Sequence, residues 1–228
     1  MASNMIDPRL SSAASFVRAG AVFADIGTDH AYLPIFLLKE GRIRRAFCSD
    51  VNEGPLNKAK EHAAASGVDF GIEFCLADGA TKLSGKGITD FAICGMGGEL
   101  IAKIIFEAPF LRDVGINLIL QPMTKQAYLR RFLSEEGFSV KAEAYSEDGH
   151  KYYVCLLASY TGKTRKISDA EAEICAKGAA IVNEDLQIRY LCNKLHAYKK
   201  MIKGKKLGGD NVENDEKVAR AIEDYLKI

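Results

Sequence analysis

Two carboxylates, a glycine and a histidine follow a short apolar run near the start of the chain, as Asp25, Gly27, Asp29 and His30. An apolar run of this length predicts a buried parallel strand, and the apolar spacing of the residues up to Glu40 predicts a helix after the loop. In an open α/β sheet the carboxyl ends of the strands border the ligand crevice. The loop is therefore predicted to face a ligand.

The charges of this loop indicate what kind of ligand it suits. Loops that bind phosphate use several glycines so that backbone N–H groups can approach the anion, whereas this loop has only Gly27. Two acids favour a ligand that is cationic or rich in hydroxyl groups, and S-adenosylmethionine has an ammonium, a sulfonium and a ribose diol. We therefore expect Asp25, Gly27 and Thr28 to contact this methyl donor. The alternative is that Asp25 and Asp29 only cap the next helix and bond loop amides.

Two further predicted strands also end in acids. Asp50 follows Asp25 by about two dozen residues, which is the spacing at which nucleotide-binding α/β folds hold a ribose. Asp78 ends the next strand and could accept a hydrogen bond from the amine of an adenine. Each acid alone could be a solvated turn residue, but their recurrence at strand ends favours one cofactor site. The further residues expected to line that site are Asp50, Val51, Asn52, Asp78, Gly79 and Gly95.

The next two strand ends carry residues that could face a second substrate. The fourth predicted strand leads into the glycine-rich turn 95–98, where the backbone can approach a ligand closely. A tight strand-to-helix connection or a phosphate nest would give the same pattern. The fifth predicted strand ends in Gln121 and Pro122, and Arg130 lies in the helix that follows.

Two more predicted strands, 138–145 and 152–160, are joined by a turn-rich segment that indicates an antiparallel hairpin. This hairpin should add a reversed strand at the end of the sheet. The sequence thus predicts an α/β domain with seven strands over residues 1–162.

Beyond residue 162 the pattern changes to that of a helical domain, 163–228. Ser168 and Glu171 form a capping box, and apolar residues then recur every seven residues, which predicts a long helical seam. A glycine-rich break at 204–210 would let a second amphipathic helix fold back on the first. The residues of the seam are Ile167, Ile174, Ile181, Ile188, Leu195 and Ile202.

Several of these motifs occur together in one known family. They are 24–34, 49–52 with Gly54-Pro55, 95–98, and 118–122 with Leu129-Arg130, all in the first two thirds of the chain. By these motifs the chain resembles the bacterial tRNA adenine-N1 methyltransferases that modify position 22. Asp29 stands where the broader methyltransferase class usually has glycine, so the resemblance is to this one family. Asn commonly follows Gln-Pro in that family, whereas Met123 stands there in this chain.

The resemblance implies a class I methyltransferase: a Rossmann-like seven-stranded sheet with a C-terminal α-helical coiled-coil hairpin. It also implies S-adenosylmethionine as cofactor, tRNA as partner, and N1 of an adenine as the methyl acceptor. The C-terminal helices would grip tRNA, although dimerisation would explain the same apolar seam.

The implied reaction needs charge stabilisation more than a strong base, because N1 of adenine has a free lone pair and the product is cationic. Asp29 is the first candidate to stabilise that charge. His30 could orient the adenine amine or Asp29, or could only bond loop backbone. Tyr32 could stack on an extruded base or pack within its helix. The residues predicted to be catalytic are Asp29 and His30, and those predicted to contact the substrate are Tyr32, Met96, Gly97, Gln121, Pro122 and Arg130.

Two other functions are compatible with parts of the sequence. A dinucleotide-dependent oxidoreductase would share the fold class, but the first loop lacks the glycine fingerprint of such enzymes. An RNA-binding module that has lost transfer chemistry would keep every motif. Binding of NAD without S-adenosylmethionine would favour the first, and donor binding without transfer would favour the second.

Composition limits the remaining possibilities. The formal net charge is only +1 over 228 residues, so RNA binding would depend on local basic clusters, each of which could also be ordinary solvated surface.

Six cysteines without metal-ligand spacing, and no signal peptide or membrane span, predict a cytoplasmic protein without metal or membrane association. Residues 1–20 predict a leading helix over the cofactor crevice. The sequence leaves the oligomeric state open and favours a monomer. The basic clusters are Arg42 with Arg44 and Arg45, Lys125 with Arg130 and Arg131, Lys163 with Arg165 and Lys166, and 199–206.

Overall fold

Eight strands form one mixed sheet in the part of the chain that the computed structural model describes, residues 6–228. The strands are β1 (Val22–Ile26), β2 (Arg45–Asp50), β3 (Ile72–Leu76), β4 (Asp90–Gly97), β5 (Asn117–Thr124), β6 (Phe138–Asp148), β7 (Lys151–Tyr160) and β8 (Ala180–Val182). Their order across the sheet is β3-β2-β1-β4-β5-β7-β6-β8. The helices are α1 (Pro8–Phe16), α2 (Tyr32–Lys39), α3 (Glu53–Ala65), α4 (Gly98–Phe106), α5 (Gln126–Glu135), α6 (Asp169–Ile174), α7 (Glu184–Gly208) and α8 (Glu213–Leu226).

Strands β1 to β5 run parallel, and helices cover both of their faces. The central strands contain short apolar runs, such as 91–93 in β4 and 118–120 in β5, because side chains there are buried on both sides of the sheet. In β4, Phe91 and Ile93 join the core beneath α4 and α5, whereas Ala92 joins the core beneath α1 and α2. The predicted end of β2 at Asp50 is confirmed.

The predicted hairpin of β6 and β7 is confirmed, and it contains the reversed strand. β7 lies antiparallel to both β5 and β6, between them, rather than at the edge of the sheet. Because β7 is antiparallel to both of its neighbours, β6 runs in the same direction as β1–β5. The turn that joins Asp148 to Lys151 therefore stands at the same edge of the sheet as the carboxyl ends of β1, β2, β4 and β5.

The prediction of seven strands is corrected by β8, which pairs in parallel with the middle of β6. The seven-residue repeat predicted a helix through this segment, but the helix α6 is short. Gly178 and Asn183, both at positive φ, interrupt the helical conformation on either side of β8. Pairing with β6 also satisfies backbone groups that an open sheet edge would expose. The sheet thus extends to Val182, beyond the predicted domain boundary at residue 162.

The C-terminal helices α7 and α8 pack antiparallel, as the sequence predicted. Leu191 and Leu195 of α7 and Ile222 of α8 are buried in this part of the core. α7 continues through Gly204 and ends where Gly209 takes a left-handed conformation, so the helix break comes later than predicted. No helix described in residues 6–228 combines the length and apolarity of a membrane span.

Helix α1 crosses one face of the sheet from edge to edge. Asp7 caps it by accepting a 2.7 Å hydrogen bond from the backbone N–H of Leu10, near the carboxyl ends of the strands. After the helix, Arg18 Nε donates to Asp90 Oδ1 at 2.7 Å, at the amino end of β4. The leading helix expected in residues 1–20 thus exists over Pro8–Phe16, while residues 1–5 lie outside the described part of the chain.

Candidate active site

Asp25 lies at the end of β1, paired in register with Cys48 of β2 and Ala92 of β4. Its side chain is buried, and Oδ2 accepts a 2.7 Å hydrogen bond from the hydroxyl of Thr28. Burial raises the pKa of Asp25 to about 7, the Thr28 hydrogen bond lowers it, and the charge of Asp50 raises it. Asp25 is therefore a carboxyl group that a bound cation would convert to the ionised form.

Asp50 is the last residue of β2, two residues beyond the partner of Asp25. It is buried, and Oδ1 accepts a 2.9 Å hydrogen bond from the N–H of Asn52. Val51 beside it is 61% exposed, which places an apolar side chain next to a carboxylate. This pairing suits a ribose diol with an adjoining flat base. Asp78 is exposed after the end of β3, and Gly79 follows it at positive φ.

The loop after β1 is held by β2 and shaped by glycine. The N–H groups of Gly27 and Thr28 both donate to the carbonyl of Ser49, at 2.8 and 3.1 Å. Gly27 has a φ of +69°, and a Cβ on it would stand 2.1 Å from Cε of Met96. Met96 therefore lies across the glycine, and a larger residue there would displace it into the cleft.

The two residues predicted to be catalytic stand at the mouth of the site. Asp29 is at a φ of +49°, with its side chain 68% exposed, and its Oδ1 lies 3.8 Å from Nε2 of His30. Such a left-handed conformation is uncommon for a non-glycine residue and marks a position that the surrounding structure must hold. The carboxylate of Asp29 is consequently free to meet a ligand.

Tyr32 is half exposed in a group of three aromatic rings. Its ring centroid lies 5.5 Å from that of His30 and 5.0 Å from that of His62. His62 also contacts the carbonyl oxygen of His30 through Nδ1, at 2.8 Å. This contact from α3 supports the backbone of the loop, and the exposed face of Tyr32 is open to stacking.

Gln121, predicted as a substrate contact, is buried and supports the site from beneath. Its Oε1 accepts hydrogen bonds from Nη1 of Arg9 at 3.0 Å and from the N–H of Gly95 at 3.1 Å. Its Nε2 donates to the carbonyl of Pro122, which is also buried. The predicted direct contacts from Gln121 and Pro122 are therefore corrected, because both residues are buried and Gln121 is bonded to Arg9 and Gly95.

Arg130 is the second correction. Its side chain is fully buried and forms two 2.8 Å hydrogen bonds to the carboxylate of Glu143, while Nη1 donates to the carbonyl of Ala172. Tyr145 donates its hydroxyl to the same carboxylate at 2.6 Å, and Ala176 donates its N–H at 2.8 Å. Burial opposes ionisation of Glu143, but the charge of Arg130 and these hydrogen bonds lower its pKa overall. Arg130 thus joins α5, β6 and α6, and it is not available to a substrate.

A cleft of about 450 Å³ connects these features at the carboxyl edge of the sheet. Among the described residues that line it, Arg9 is the only cation, against four carboxylates. The sequence reasoning missed several of these residues. Asp148 and Tyr153 could have been found from the predicted hairpin, whose turn must reach this edge, and the leading helix predicted over the cofactor crevice brings Asp7 and Arg9 here. The lining residues are Asp7, Arg9, Leu10, Asp25, Gly27, Thr28, Asp29, Tyr32, Leu33, Cys94, Gly95, Met96, Met123, Asp148 and Tyr153.

The other predicted residues lie around this cleft rather than in it. Gly97 precedes α4 as its N-cap and lies next to Thr124. Asp50 and Asp78 extend the acidic edge toward β2 and β3. The structure thus brings the ends of β1, β2 and β4 together as predicted.

Comparison with known proteins gives a consistent result. A curated tRNA (adenine(22)-N(1))-methyltransferase of Bacillus subtilis (strain 168) is 34% identical over 154 residues, which are 67% of this chain. The aligned part spans 64% of the length of that relative. A solved NADB-Rossmann superfamily protein of Streptococcus agalactiae superposes with a TM-score of 0.83 at 27% identity, covering 97% of each chain.

A second solved structure is described as a Streptococcus pneumoniae putative tRNA (m1A22) methyltransferase in complex with S-adenosyl-L-methionine. It superposes with a TM-score of 0.81 at 29% identity, covering 97% of this chain and 100% of that chain. Residues 6–156, about two thirds of the sequence, match the family described as "Methyltransferase domain". The chain belongs to this methyltransferase family.

Proposed function

We propose that the protein transfers the methyl group of S-adenosylmethionine to N1 of the adenine at position 22 of tRNA. The observation that carries the proposal is a set of three carboxylates: Asp25 and Asp50 at the ends of the neighbouring parallel strands β1 and β2, and Asp29 in the loop after β1. Asp25 and Asp29 line the cleft, and Asp50 lies beside it. The names of the Bacillus subtilis and Streptococcus pneumoniae relatives support the same substrate and donor.

The residues present fit this donor. Asp25 and Thr28 would hold the ammonium, Asp50 the ribose diol, and Val51 the face of the adenine, with Asp78 near its amine. Met96 lies directly against Gly27, so a Cβ at this position would overlap with the Met96 side chain. When bound, S-adenosylmethionine supplies an electrophilic methyl group on a sulfonium.

Asp29 is placed to act on the acceptor base. Its exposed carboxylate at the cleft mouth stabilises the positive charge that develops on the adenine as N1 is alkylated. His30 lies beside it and orients the carboxylate. No proton need leave N1 before it reacts, so the site requires no strong general base.

Tyr32 supplies a stacking surface for an extruded base. N1 lies on the pairing edge of adenine, so the base must leave its stack before this cleft can reach it. Stacking on the half-exposed ring of Tyr32 stabilises a base by about 1–3 kcal/mol, which would offset part of that cost. Tyr153 also lines the cleft and is a second aromatic ring that a base could contact.

Binding of tRNA must use local positive surface, since the net charge is only +1. Many of the expected basic clusters are partly neutralised: Arg131 pairs with Asp169, and Lys199 pairs with Glu223. Lys200 and Lys203 are exposed on α7 and are the better candidates for phosphate contacts. We expect a monomer that works in the cytoplasm, where its substrate is found.

The direct test is to incubate the protein with S-adenosylmethionine and unmodified tRNA, digest the RNA, and identify the nucleosides by mass spectrometry. The proposal expects 1-methyladenosine, mapped to position 22, and its loss when A22 of the tRNA is replaced by G. Donor binding without methylation would instead identify an RNA-binding module that lacks transfer activity. Binding of NAD with no binding of S-adenosylmethionine would reject the proposal.

A further inference from the structure

A second cavity, of about 460 Å³, lies at the outer edge of the sheet, between the first half of β6 and the segment that joins β7 to α6. Four exposed cations line it: Lys141, Lys163, Arg165 and Lys177. The one carboxylate among the described residues that line it, that of Glu171, forms an ion pair with Arg165. Three uncompensated positive charges therefore share one cavity in a protein whose formal net charge is +1.

The basic cluster predicted around Arg42 provides a contrast, because two of its cations are engaged with protein groups. Arg42 donates to the carbonyls of Val17 and Ser15 at 2.7 and 3.0 Å, and Arg45 pairs with Glu73 at 3.0 Å. The three lysines of the second cavity form no ion pair with any residue of the described chain, 6–228. Their charge is available to an external anion.

A β-bulge in β6 brings Lys141 to this cavity. The register between β6 and β7 shifts between Val140 and Ala142, and Lys141 has no partner on β7. Bulges of this kind bend a strand and redirect a side chain. On the other side of β6, pairing with β8 begins only at Ala142, so residues 139–141 have no neighbouring strand there within the described chain. The cavity is thus open to solvent along this edge of β6.

The segment that carries Lys163 and Arg165 is bonded to α5 and to the start of β6. Ser134 Oγ donates to the carbonyl of Arg165 at 2.7 Å, and the N–H of Arg165 donates to the carbonyl of Ser134 at 2.9 Å. The N–H of Thr161 donates to the carbonyl of Gly137 at 2.9 Å. These backbone contacts fix the segment against the sheet, so the fold itself holds the cations around the cavity.

The chemistry of these groups favours the phosphates of a nucleic acid over an enclosed small anion. Lysine ammonium groups are hydrated point charges, and contacts from such groups to backbone phosphates are the commonest way in which proteins position a nucleic acid. A small anion held by this cavity would need a buried donor. The buried cation that lines it, Arg130, already bonds Glu143 and the carbonyl of Ala172.

The second cavity and the active-site cleft are connected by one strand. Lys141 and Asp148, which lines the cleft, both belong to β6 and lie about 23 Å apart at a strand rise of about 3.3 Å per residue. A duplex rises roughly 3.4 Å per base pair, so an RNA arm of about seven base pairs spans this distance. An RNA with its target base in the cleft can therefore reach the second cavity with its backbone.

We infer that the cavity formed by Lys141, Lys163 and Lys177 binds backbone phosphates of the tRNA at a distance from the methylated adenine. The inference rests on the proposed function, because it takes the occupant of the cleft to be a base of tRNA. Phosphate contacts orient a nucleic acid without reading its sequence. The second cavity then positions the tRNA, while the cleft selects the base.

The test measures binding of unmodified tRNA by fluorescence anisotropy at several salt concentrations. It compares the unaltered protein with a cavity variant that combines Lys141→Gln, Lys163→Gln and Lys177→Gln. Calorimetry with S-adenosylmethionine shows whether each variant is folded at the active site. Calorimetry with inorganic pyrophosphate tests the cavity as a site for a small anion.

A control variant removes the same charge near β2 and β3, at the opposite edge of the sheet. It replaces three exposed cations that form no ion pair within the described residues, so the two variants have equal net charge and differ only in where the charge is lost. The substitutions of the control are Lys39→Gln, Arg44→Gln and Lys58→Gln.

The cavity variant should bind tRNA roughly 10- to 100-fold more weakly at physiological ionic strength. The slope of log K against log salt concentration should become shallower by about two to three, because each phosphate contact contributes about 0.9. The control variant should stay within about twofold of the unaltered protein. The single-turnover rate of methylation at saturating tRNA should be the same for all three proteins, since the second cavity does not touch the reacting base.

Equal losses of tRNA affinity in the two variants would overturn the inference, because net charge alone would then explain them. Micromolar binding of pyrophosphate that the cavity variant loses would also overturn it and assign the cavity to a small anion. Methylation of tRNA by the unaltered protein would leave the proposed function standing in both cases. If the unaltered protein binds tRNA but does not methylate it, the proposed function fails and the measured affinities still decide the inference. If it binds no tRNA, both fail.

Discussion

The hydroxyl of Thr28 donates a 2.7 Å hydrogen bond to a carboxyl group, that of Asp25, whose pKa is raised to about 7 mainly by burial. A cation bound beside Asp25 favours the ionised form, so binding of the donor below pH 7 must release a proton. Affinity for S-adenosylmethionine should therefore rise about fivefold to tenfold between pH 6.0 and 7.5. Calorimetry in buffers of different ionisation enthalpy measures both the affinity and the proton release.

Asp25→Asn is the control for this dependence, because it keeps the shape of the side chain and removes its titration. It should bind the donor weakly and lose the part of the pH dependence that Asp25 causes. A carboxyl group whose pKa is raised by folding stabilises the fold when the pH is below its pKa in the unfolded chain, which is near 4 for an Asp. That stabilisation is lost as the pH rises toward the pKa of about 7 that Asp25 has in the folded protein. Asp25→Asn should thus be more stable than the unaltered protein at pH 8. A lower melting temperature there would contradict this account.

Gly27→Ala should abolish donor binding with only a moderate loss of stability. The left-handed φ costs an alanine about 1–2 kcal/mol, and the new Cβ must also push Met96 into the cleft. Gly41→Ala is the matched control, because Gly41 has a similar φ of +63° with no atom within 4 Å of a Cβ. Chemical denaturation should show similar losses for the two variants, and calorimetry should show lost binding only for Gly27→Ala.

A second substitution separates the clash from the backbone strain. Met96→Ala in the Gly27→Ala background removes the atoms that would be pushed into the cleft, so donor binding should partly return. If binding stays absent, the obstruction by Met96 is not the cause.

Asp29→Ala should lower the rate of methyl transfer by about 10²- to 10³-fold, the range found when one stabilising group is removed from a transition state. Donor binding should change little, because Asp29 stands at the mouth of the cleft with its side chain 68% exposed. Single-turnover assays with labelled donor measure the rate, and calorimetry measures binding. Asp78→Asn is the control, with weaker donor binding but a nearly normal single-turnover rate at saturating donor. A normal rate for Asp29→Ala would remove it from the catalytic role.

The fully buried pair of Arg130 and Glu143 should be important for stability rather than for activity. Arg130→Ala leaves the Glu143 carboxylate uncompensated, which should cost about 3–5 kcal/mol of unfolding free energy. The double variant Arg130→Met with Glu143→Leu should lose much less, as measured by chemical denaturation. If the double variant is as unstable as Arg130→Ala, the buried charge is not the source of the loss.

Much of the catalytic half of the fold follows from local sequence. The end of β2 at Asp50 and the capping of α6 by Ser168 could be predicted because short apolar runs and cap residues determine them locally. The position of Asp25 and Asp50 at one edge of the sheet follows from the parallel order of the strands.

The errors occurred where contacts distant in sequence determine the outcome. The sequence alone assigns Arg130 to a basic surface cluster, because its partner Glu143 lies on the next strand and no local pattern pairs them. The seam residue Ile181 fits a heptad, yet an open edge of β6 draws this segment into the sheet. Arg9 reaches Gln121 across 112 residues, a relationship that only the packing of α1 reveals.

The buried carboxylate of Glu143 receives hydrogen bonds from Arg130 and Tyr145 within the catalytic sheet region and from Ala176 in the segment before α7. The segment before α7 is consequently bonded to a buried residue of the sheet and is not a flexible linker. A chain shortened at residue 162 would expose a charged pair and the bare edge of β6 to solvent, and we expect such a fragment to aggregate. Separation of the sheet from the terminal helices is better attempted after residue 183, because the hydrogen bond from Ala176 to Glu143 and the pairing of β8 with β6 are then kept.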